Sequence, residues 1–135
     1  MKPTLAVGVS GTREYVVDRD STIDFMGDSA RVYATPALVR DIEIACRELL
    51  LAHLDPGEDS VGMRVELDHL APTLLGMKVR IEAKIAELNG RAVTFEVSAA
   101  DSVEPIGRCR HARFIVGLKQ TEQRLAAKAQ KAKAA

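Results

Sequence analysis

Three runs of the chain alternate between apolar and polar residues, and this alternation constrains the fold more than any other feature of the sequence. The runs span residues 61–69, 78–88 and 92–100. In each run every second side chain faces the same side of an extended strand, so one face can be buried while the other meets water. The Asn89-Gly90 pair between the last two runs favours a tight hairpin turn. The pattern therefore predicts half-buried antiparallel strands.

A single long helix is predicted ahead of these strands. A stripe at positions 38, 42, 45, 46, 49 and 53, apolar up to Leu49, has the spacing of one helix face. Thr35 is placed to cap this helix with its hydroxyl, and Pro36 suits the first helical position. We expect the helix to stop at "DPGED", residues 55–59, because Pro and Gly do not continue it.

The remaining segments complete one domain. Residues 15–17, "YVV", predict a short first strand, residues 105–118 predict a final strand, and the polar residues 20–31 predict a loop or lid. One helix against one antiparallel sheet is an α+β architecture, which we assign to residues 1–119 as a single domain. Residues 120–135 are an Ala- and Lys-rich tail, expected to be helical or disordered. Because the sheet is large for one helix to cover, we expect a homodimer.

Composition limits the partners and the location of the protein. The 135 residues are 47% hydrophobic and 28% charged, with a formal net charge of zero, so no global charge attracts nucleic acid or an anionic membrane. No apolar run approaches the ~20 residues of a membrane span, and the N-terminus does not resemble a secretory signal. Cys46 and Cys109 have no metal-type spacing. These features predict a cytoplasmic protein with two buried cysteines, no metal site, and no nucleic-acid or membrane partner.

Two polar residues interrupt the predicted apolar faces. His69 occupies the next odd position after the four residues expected to face the helix, which are Val61, Met63, Val65 and Leu67. Glu43 borders the apolar stripe of the helix. Each has an ordinary explanation, since a strand-end histidine reaches solvent and Glu43 can pair with Arg47 one turn later. Because the helix packs on the sheet, the two side chains can also share one pocket as a general acid–base or nucleophile–base pair.

Three further residues are candidates for the same site. Thr35 and Glu43 are eight residues apart, roughly 12 Å along a straight helix, so a direct bond between them needs a later helix start or another subunit. Gly62 weakens a strand unless a bulge or a close ligand approach requires it. Arg113 lies among apolar residues on the strand face that also carries His111. A semi-buried Arg113 needs an anion, either a protein carboxylate or a ligand phosphate.

Three stretches of sequence match a known family. They are "YATPALVRDIEIAC", "GEDSVGMRVELDHLAPTLLGMKV" and "IGRCRHARFIV". Through them the chain resembles the fluoroacetyl-CoA thioesterase-like family of hotdog-fold thioesterases, over residues 5–118. That family uses a Thr, a Glu eight residues later and a His in the second core strand, with a strand Gly seven residues before the His and an Arg in the last strand. In this sequence the five positions are Thr35, Glu43, His69, Gly62 and Arg113.

The resemblance implies a dimeric hotdog fold, in which a curved antiparallel sheet wraps one long helix and the active sites lie at the subunit interface. It implies a thioesterase that hydrolyses small or medium acyl-CoA thioesters, with coenzyme A only as part of the substrate and with no metal or redox cofactor. Glu43 is then the nucleophile or general base, His69 the proton carrier, and Thr35 the hydroxyl that orients one of them. Gly62 offers its backbone N–H to the oxyanion, and Arg113 positions Glu43 or a substrate anion.

One feature departs from the family. Its type enzyme has phenylalanines that form a lid just before the Thr, whereas this chain has "GDSARVYA" at residues 27–34. A non-catalytic acyl-CoA-binding module of the same fold is the alternative function, and release of free CoA distinguishes the two. A hotdog hydratase is a third possibility, but the helix has no Asp-to-His motif of that kind.

Overall fold

The computed structural model describes residues 1–134, which form two α-helices and five β-strands. The elements are β1 (Ser10–Val16), α1 (Thr35–Leu51), β2 (Glu58–His69), β3 (Lys78–Asn89), β4 (Ala92–Ala100), β5 (Pro105–Gly117) and α2 (Leu118–Ala134). The strands form one antiparallel sheet in the order β1-β3-β4-β5-β2, and α1 packs across its inner face. The predicted α+β architecture is confirmed.

The β3–β4 hairpin follows the predicted alternation closely. Its inward side chains are all buried, namely Val79, Ile81, Ala83, Ile85, Val93, Phe95, Val97 and Ala99. Gly90 adopts a φ of 61° in the turn, a left-handed conformation that favours glycine. Strand β1, predicted only at residues 15–17, runs from Ser10 to Val16 because its more polar half also pairs with the backbone of β3.

The apolar stripe of α1 meets the sheet in a closed core. Leu38, Ile42, Cys46 and Leu50 are at most 1% exposed, and a side chain of this size contributes ~1.5–3 kcal/mol when it is fully buried. Burial raises the pKa of the Cys46 thiol to about 12 and that of Cys109 to about 11. Both cysteines are therefore protonated, unreactive members of the core.

The start and the end of α1 differ from the prediction. Ala34 is the N-cap, Thr35 is the first helical residue, and no side chain caps the helix. The predicted cap by Thr35 is wrong because its backbone is already inside the helix, so its hydroxyl does not accept from the free N–H groups of the first turn. Pro36 consequently occupies the second position rather than the first, and the helix ends at Leu51, before residues 55–59.

Strand β2 contains a β-bulge that reverses its alternation. The register with β5 shifts between Gly62 and Arg64, so Met63 is the extra residue. Ahead of the bulge the even positions face the helix, and Val61 and Met63, both predicted to face inward, are 49% and 59% exposed. After the bulge the odd positions lie on the inner face of the sheet, where Val65 pairs with His111 and Leu67 with Cys109. The predicted single odd-numbered face is therefore wrong before the bulge, because periodicity carries no sign of an inserted residue.

The segment predicted as a loop or lid, residues 20–31, is attached to the domain at its ends. Thr22 and Val32 form isolated β-bridges with Tyr33 and Leu74 respectively. The Tyr33 hydroxyl donates a hydrogen bond to a carboxylate of α1, that of Asp41. The chain that follows the segment is therefore fixed to α1 through Tyr33.

The C-terminal helix α2 lies outside the core, and most of its side chains are exposed. It is joined to the sheet where the Thr121 hydroxyl donates to the Gly117 carbonyl at 2.8 Å. Among residues 1–134, neither helix is long and apolar enough to cross a membrane.

Candidate active site

The first turn of α1 meets the end of β2 at a contact between Thr35 and His69. Thr35 Oγ1 lies 2.8 Å from His69 Nδ1, which is a hydrogen-bond distance. The Tyr33 ring packs edge-on against the imidazole, with ring centroids 6.4 Å apart. Because the Thr35 hydroxyl is not used as a helix cap, it is available to fix the orientation of the imidazole.

The other ring nitrogen of His69 is unpaired. Within residues 1–134, Nε2 of His69 is the one buried side-chain nitrogen or oxygen that has no hydrogen-bond partner. Burial lowers the pKa of His69 below its ordinary value of 6.5, so the ring is neutral near pH 7. A neutral imidazole with one nitrogen held and the other unpaired is suited to proton transfer at the unpaired atom.

An open depression of about 350 Å³ adjoins the Thr35–His69 contact. The rest of its lining is mainly apolar and consists of Ile23, Val32, Tyr33, Leu70, Ala71 and Pro72. Ile23 belongs to the predicted lid segment, which therefore contributes to the wall. The depression offers apolar surface beside a potential proton-transfer group.

A second cluster surrounds the guanidinium of Arg113 on β5. Arg113 is 4% exposed, and it donates from Nε to Ser60 Oγ at 2.8 Å and from Nη2 to the Ser60 carbonyl at 2.9 Å. Its Nη1 lies 3.5 Å from Glu43 Oε2. Burial lowers the pKa of Arg113, and the charge of Glu43 opposes that shift. Of the two predicted kinds of anionic partner, the structure therefore shows a protein carboxylate.

Gly62 leaves room for the carboxylate of Glu43. A Cβ atom built at Gly62 lies 2.8 Å from Glu43 Oε2 and 3.4 Å from His111 Cε1. The first distance is shorter than real Cβ contacts, so any larger residue at this position would displace the Glu43 carboxylate from where it lies. The sequence offered two explanations for Gly62, a bulge or the close approach of a ligand. The structure shows a bulge beside it, and the group that approaches closely is the Glu43 carboxylate of the protein itself.

The structure places the five predicted residues in two groups. Thr35 bonds to His69, whereas Glu43 lies against Gly62 and Arg113. No hydrogen bond or ion pair within residues 1–134 joins Glu43 to His69. The pocket predicted for that pair is therefore not formed by direct contact inside one chain.

Two members of the second group are not candidates on sequence grounds. An uninterrupted alternation of β2 places Ser60, an even position, on the outer face. The sequence places His111 on the same face as Arg113 without indicating a role, whereas its ring is fully buried and its Nε2 lies 3.2 Å from Arg113 Nη1. The sequence signal that could have identified His111 was a polar, titratable residue at an inward-facing position of β5.

One long helix across a curved antiparallel sheet is the hotdog fold, and solved thioesterase structures share it with this chain. A Thermus thermophilus hypothetical protein of the thioesterase superfamily is 29% identical, with coverage of 98% of this chain and 99% of that one and a TM-score of 0.89. A Thr-to-Ser variant of the fluoroacetyl-CoA thioesterase FlK, solved in complex with acetyl-CoA, is 28% identical, with coverage of 92% of this chain and 98% of that one and a TM-score of 0.84. The fold thus defines a hotdog protein of the thioesterase class.

Sequence comparison identifies the family within that class. The family model of FlK, the fluoroacetyl-CoA-specific thioesterase, matches residues 17–119. A fluoroacetyl-CoA thioesterase from Streptantibioticus cattleyicolor is 31% identical over 127 residues, which cover 89% of this chain and 91% of that protein. The chain therefore belongs to the FlK family, and it is an acyl-CoA thioester hydrolase. The resemblance and the enzyme class predicted from sequence are confirmed.

Proposed function

We propose that Glu43, His69, Thr35 and Gly62 form the catalytic centre, and that two copies of the chain build it together. The observation that carries this proposal is the buried, unpaired Nε2 of His69 beside an apolar depression. A buried polar atom without a partner is costly, and a substrate or a second subunit at this position removes that cost. The substrate class is a small or medium acyl-CoA thioester.

Glu43 supplies the carboxylate of the reaction. Its Oε2 lies 3.5 Å from Arg113 Nη1 and next to Gly62, whose backbone N–H we assign to the developing oxyanion of the thioester carbonyl. The carboxylate either attacks the carbonyl itself or takes a proton from the attacking water. Mass spectrometry of enzyme quenched during turnover separates these routes, because only the first adds the mass of the acyl group to Glu43.

His69 handles the proton that the leaving group receives. Thr35 holds Nδ1 at 2.8 Å, which leaves Nε2 as the atom that exchanges a proton. Over the whole reaction the oxygen of water joins the acyl carbon as the carbon–sulfur bond breaks, and one proton of that water passes through Nε2 to the sulfur of coenzyme A. The low pKa that burial imposes on His69 keeps the ring neutral at the start of the cycle.

The exposed edge of β2 supports the proposed homodimer. Within residues 1–134, β2 pairs with β5 alone. Three large apolar residues on β2 are exposed, namely Val61, Met63 and Val65. An unpaired edge with exposed apolar side chains favours association with a second copy. Because Gly62 and His69 both belong to β2, association along this strand brings site residues of both subunits to one interface.

The depression beside His69 is proposed to hold the acyl group. Its apolar wall favours an aliphatic chain, by ~0.8 kcal/mol for each methylene that is buried. Phe25, the one phenylalanine shortly before Thr35, is 78% exposed rather than packed over the depression. Selection for a fluorinated acyl group is therefore not part of the proposal.

We further propose that coenzyme A takes part only as a portion of the substrate, since water supplies the second reactant. A metal chelator should then leave the rate of hydrolysis unchanged, and a loss restored by a metal ion would contradict this. We place the enzyme in the cytoplasm, where the free thiols of Cys46 and Cys109 stay reduced. Cell fractionation tests that location.

Release of free CoA from a panel of acyl-CoA thioesters tests the proposed site. The parent protein should release thiol from short and medium acyl groups, and His69→Ala should lower the rate ~100-fold or more, the usual scale for losing acid–base assistance. His53→Ala is the matched control, because His53 bonds to Thr4 Oγ1 at 2.7 Å outside the site. A folded His69→Ala protein that keeps the parent rate would refute the assignment.

A further inference from the structure

The imidazole of His111 has no role in the chemistry proposed above, although His111 pairs with Val65, which lies between Gly62 and His69 along β2. It is 0% exposed on the inner face of β5. Its Nδ1 lies 2.8 Å from the Arg64 carbonyl oxygen, and its Nε2 lies 3.2 Å from Arg113 Nη1. The ring stacks on Phe95 with centroids 6.3 Å apart. A fully buried histidine with both nitrogens engaged is held in one orientation.

The two contacts determine which nitrogen of His111 carries the proton. A guanidinium can only donate hydrogen bonds, so Nε2 must accept from Arg113. The Arg64 carbonyl can only accept, so Nδ1 must carry the hydrogen and donate it. Both contacts are satisfied by the neutral Nδ1–H tautomer alone. Burial and the positive charge of Arg113 lower the pKa of His111, against the opposing effects of the Arg64 carbonyl and Glu43, which agrees with a neutral ring.

The carbonyl that His111 holds belongs to the bulge in β2. Gly62 and His69 are seven residues apart, and in a regular strand an odd separation places two residues on opposite faces. The extra residue between Gly62 and Arg64 returns them to the same face. Without the bulge, the glycine that adjoins Glu43 and the histidine that bonds to Thr35 could not both face the helix.

We propose that His111 is the positioning residue of this active site. Through Arg64 it fastens the bulge, and through Arg113 it holds the guanidinium that pairs with Glu43. The carboxylate, the backbone of Gly62 and the imidazole of His69 are thereby kept on one face in fixed relative positions. This inference rests on the proposed function, because it concerns the alignment of the groups assigned there.

Two substitutions of His111 separate positioning from packing. His111→Phe keeps the ring volume and the stacking on Phe95 but removes both hydrogen bonds. His111→Asn loses the ring but places an amide N–H where Nδ1 donates to the Arg64 carbonyl. We expect kcat of His111→Phe to fall ~10–100-fold with KM nearly unchanged, since misplacement of about 1 Å costs ~100-fold. His111→Asn should recover at least about tenfold of that loss.

The kcat values of the two His111 variants decide whether His111 positions the site. A folded His111→Phe protein with the parent kcat would overturn the proposal, and so would equal losses in His111→Phe and His111→Asn. Should neither variant fold, nitrogen NMR of the parent protein near pH 7 supplies the test, because the proposal requires the Nδ1–H tautomer. An imidazolium or an Nε2–H tautomer at His111 would overturn it.

The failure of this inference and the failure of the proposed function are distinguishable. If Glu43→Gln and His69→Ala lose hydrolysis while His111→Phe keeps it, the positioning role is wrong and the catalytic assignment stands. If Glu43→Gln retains the parent rate, the catalytic assignment is wrong, and the positioning role falls with it. His53→Phe is the control for replacing a histidine outside the site.

Discussion

Replacing Gly62 by alanine is the sharpest small perturbation that the structure offers. The added Cβ would lie 2.8 Å from Glu43 Oε2, where ordinary contact begins at 3.4 Å, so the carboxylate must retreat by about 0.6 Å. The methyl group cannot turn aside, because His111 Cε1 is already 3.4 Å from it. The clash falls on the end of a flexible side chain, so Glu43 moves and the strand stays in place.

The expected loss follows from that displacement. Glu43 Oε2 lies 3.5 Å from Arg113 Nη1, and a shift of this size weakens the pairing that holds the carboxylate. Since misplacement by about 1 Å costs ~100-fold in rate, we expect kcat/KM of Gly62→Ala to fall ~10–100-fold, or ~1.4–2.7 kcal/mol. Alanine in a strand interior recovers ~0.5–1 kcal/mol relative to glycine, so the free energy of unfolding should change by less than about 1 kcal/mol.

Steady-state release of CoA, together with urea denaturation, measures both quantities. Gly11→Ala is the matched control, because its Cβ would meet Leu49 Cδ1 at 3.1 Å, which is also the end of a flexible side chain, on an edge strand away from the site. If Gly62→Ala hydrolyses acyl-CoA at the parent kcat/KM, or if Gly11→Ala loses as much, the close approach of Glu43 to Gly62 does not set the position of the catalytic carboxylate.

Three further predictions follow from the remaining contacts. Thr35→Ser should keep the bond to His69 and the rate of CoA release, whereas Thr35→Ala should lower that rate. The free energy of unfolding of Thr35→Ala should not fall by the ~1 kcal/mol that loss of a helix cap costs, because Thr35 does not cap α1. Burial lowers the pKa of His69 and of His111 below 6.5, so the free energy of unfolding should fall as pH drops below about 6.5. The fall should be less steep for His111→Phe, which has lost one of the two histidines. Urea denaturation at several pH values that gives the same dependence on pH for both proteins would contradict this. Light scattering should give twice the mass of 14.7 kDa, and a concentration-independent monomer would contradict the shared site.

Local patterns predicted the fold because each element carries its own periodicity. The alternation in β3 and β4 and the turn at Gly90 depend on residues close in sequence, and the structure confirms them. The apolar stripe of α1 likewise reports directly which face is buried. For elements of this kind the spacing of apolar residues follows from the backbone geometry, so the spacing alone predicts the element and its buried face.

The errors lie where long-range contacts decide the local geometry. The bulge beside Gly62 is stabilised from β5, through the bond between His111 and the Arg64 carbonyl, so no pattern within β2 announces it. Thr35 is a residue type that often caps helices, but its position inside the helix and its bond to His69 depend on how α1 packs on the sheet. Residue types could suggest the candidates, but only the register decides which of them meet within one chain.

Removing the charge of Glu43 tests most directly whether this carboxylate is catalytic. Glu43→Gln keeps the size and hydrogen-bonding capacity of the side chain but removes its charge. Glu48→Gln, on the same helix and paired with Arg13 at the exposed surface, is the control. CoA release from the best acyl-CoA substrate should fall ~100-fold or more in Glu43→Gln, with Glu48→Gln close to the parent rate. A folded Glu43→Gln enzyme that hydrolyses acyl-CoA as fast as the parent would show that Glu43 is only a border residue of the helix.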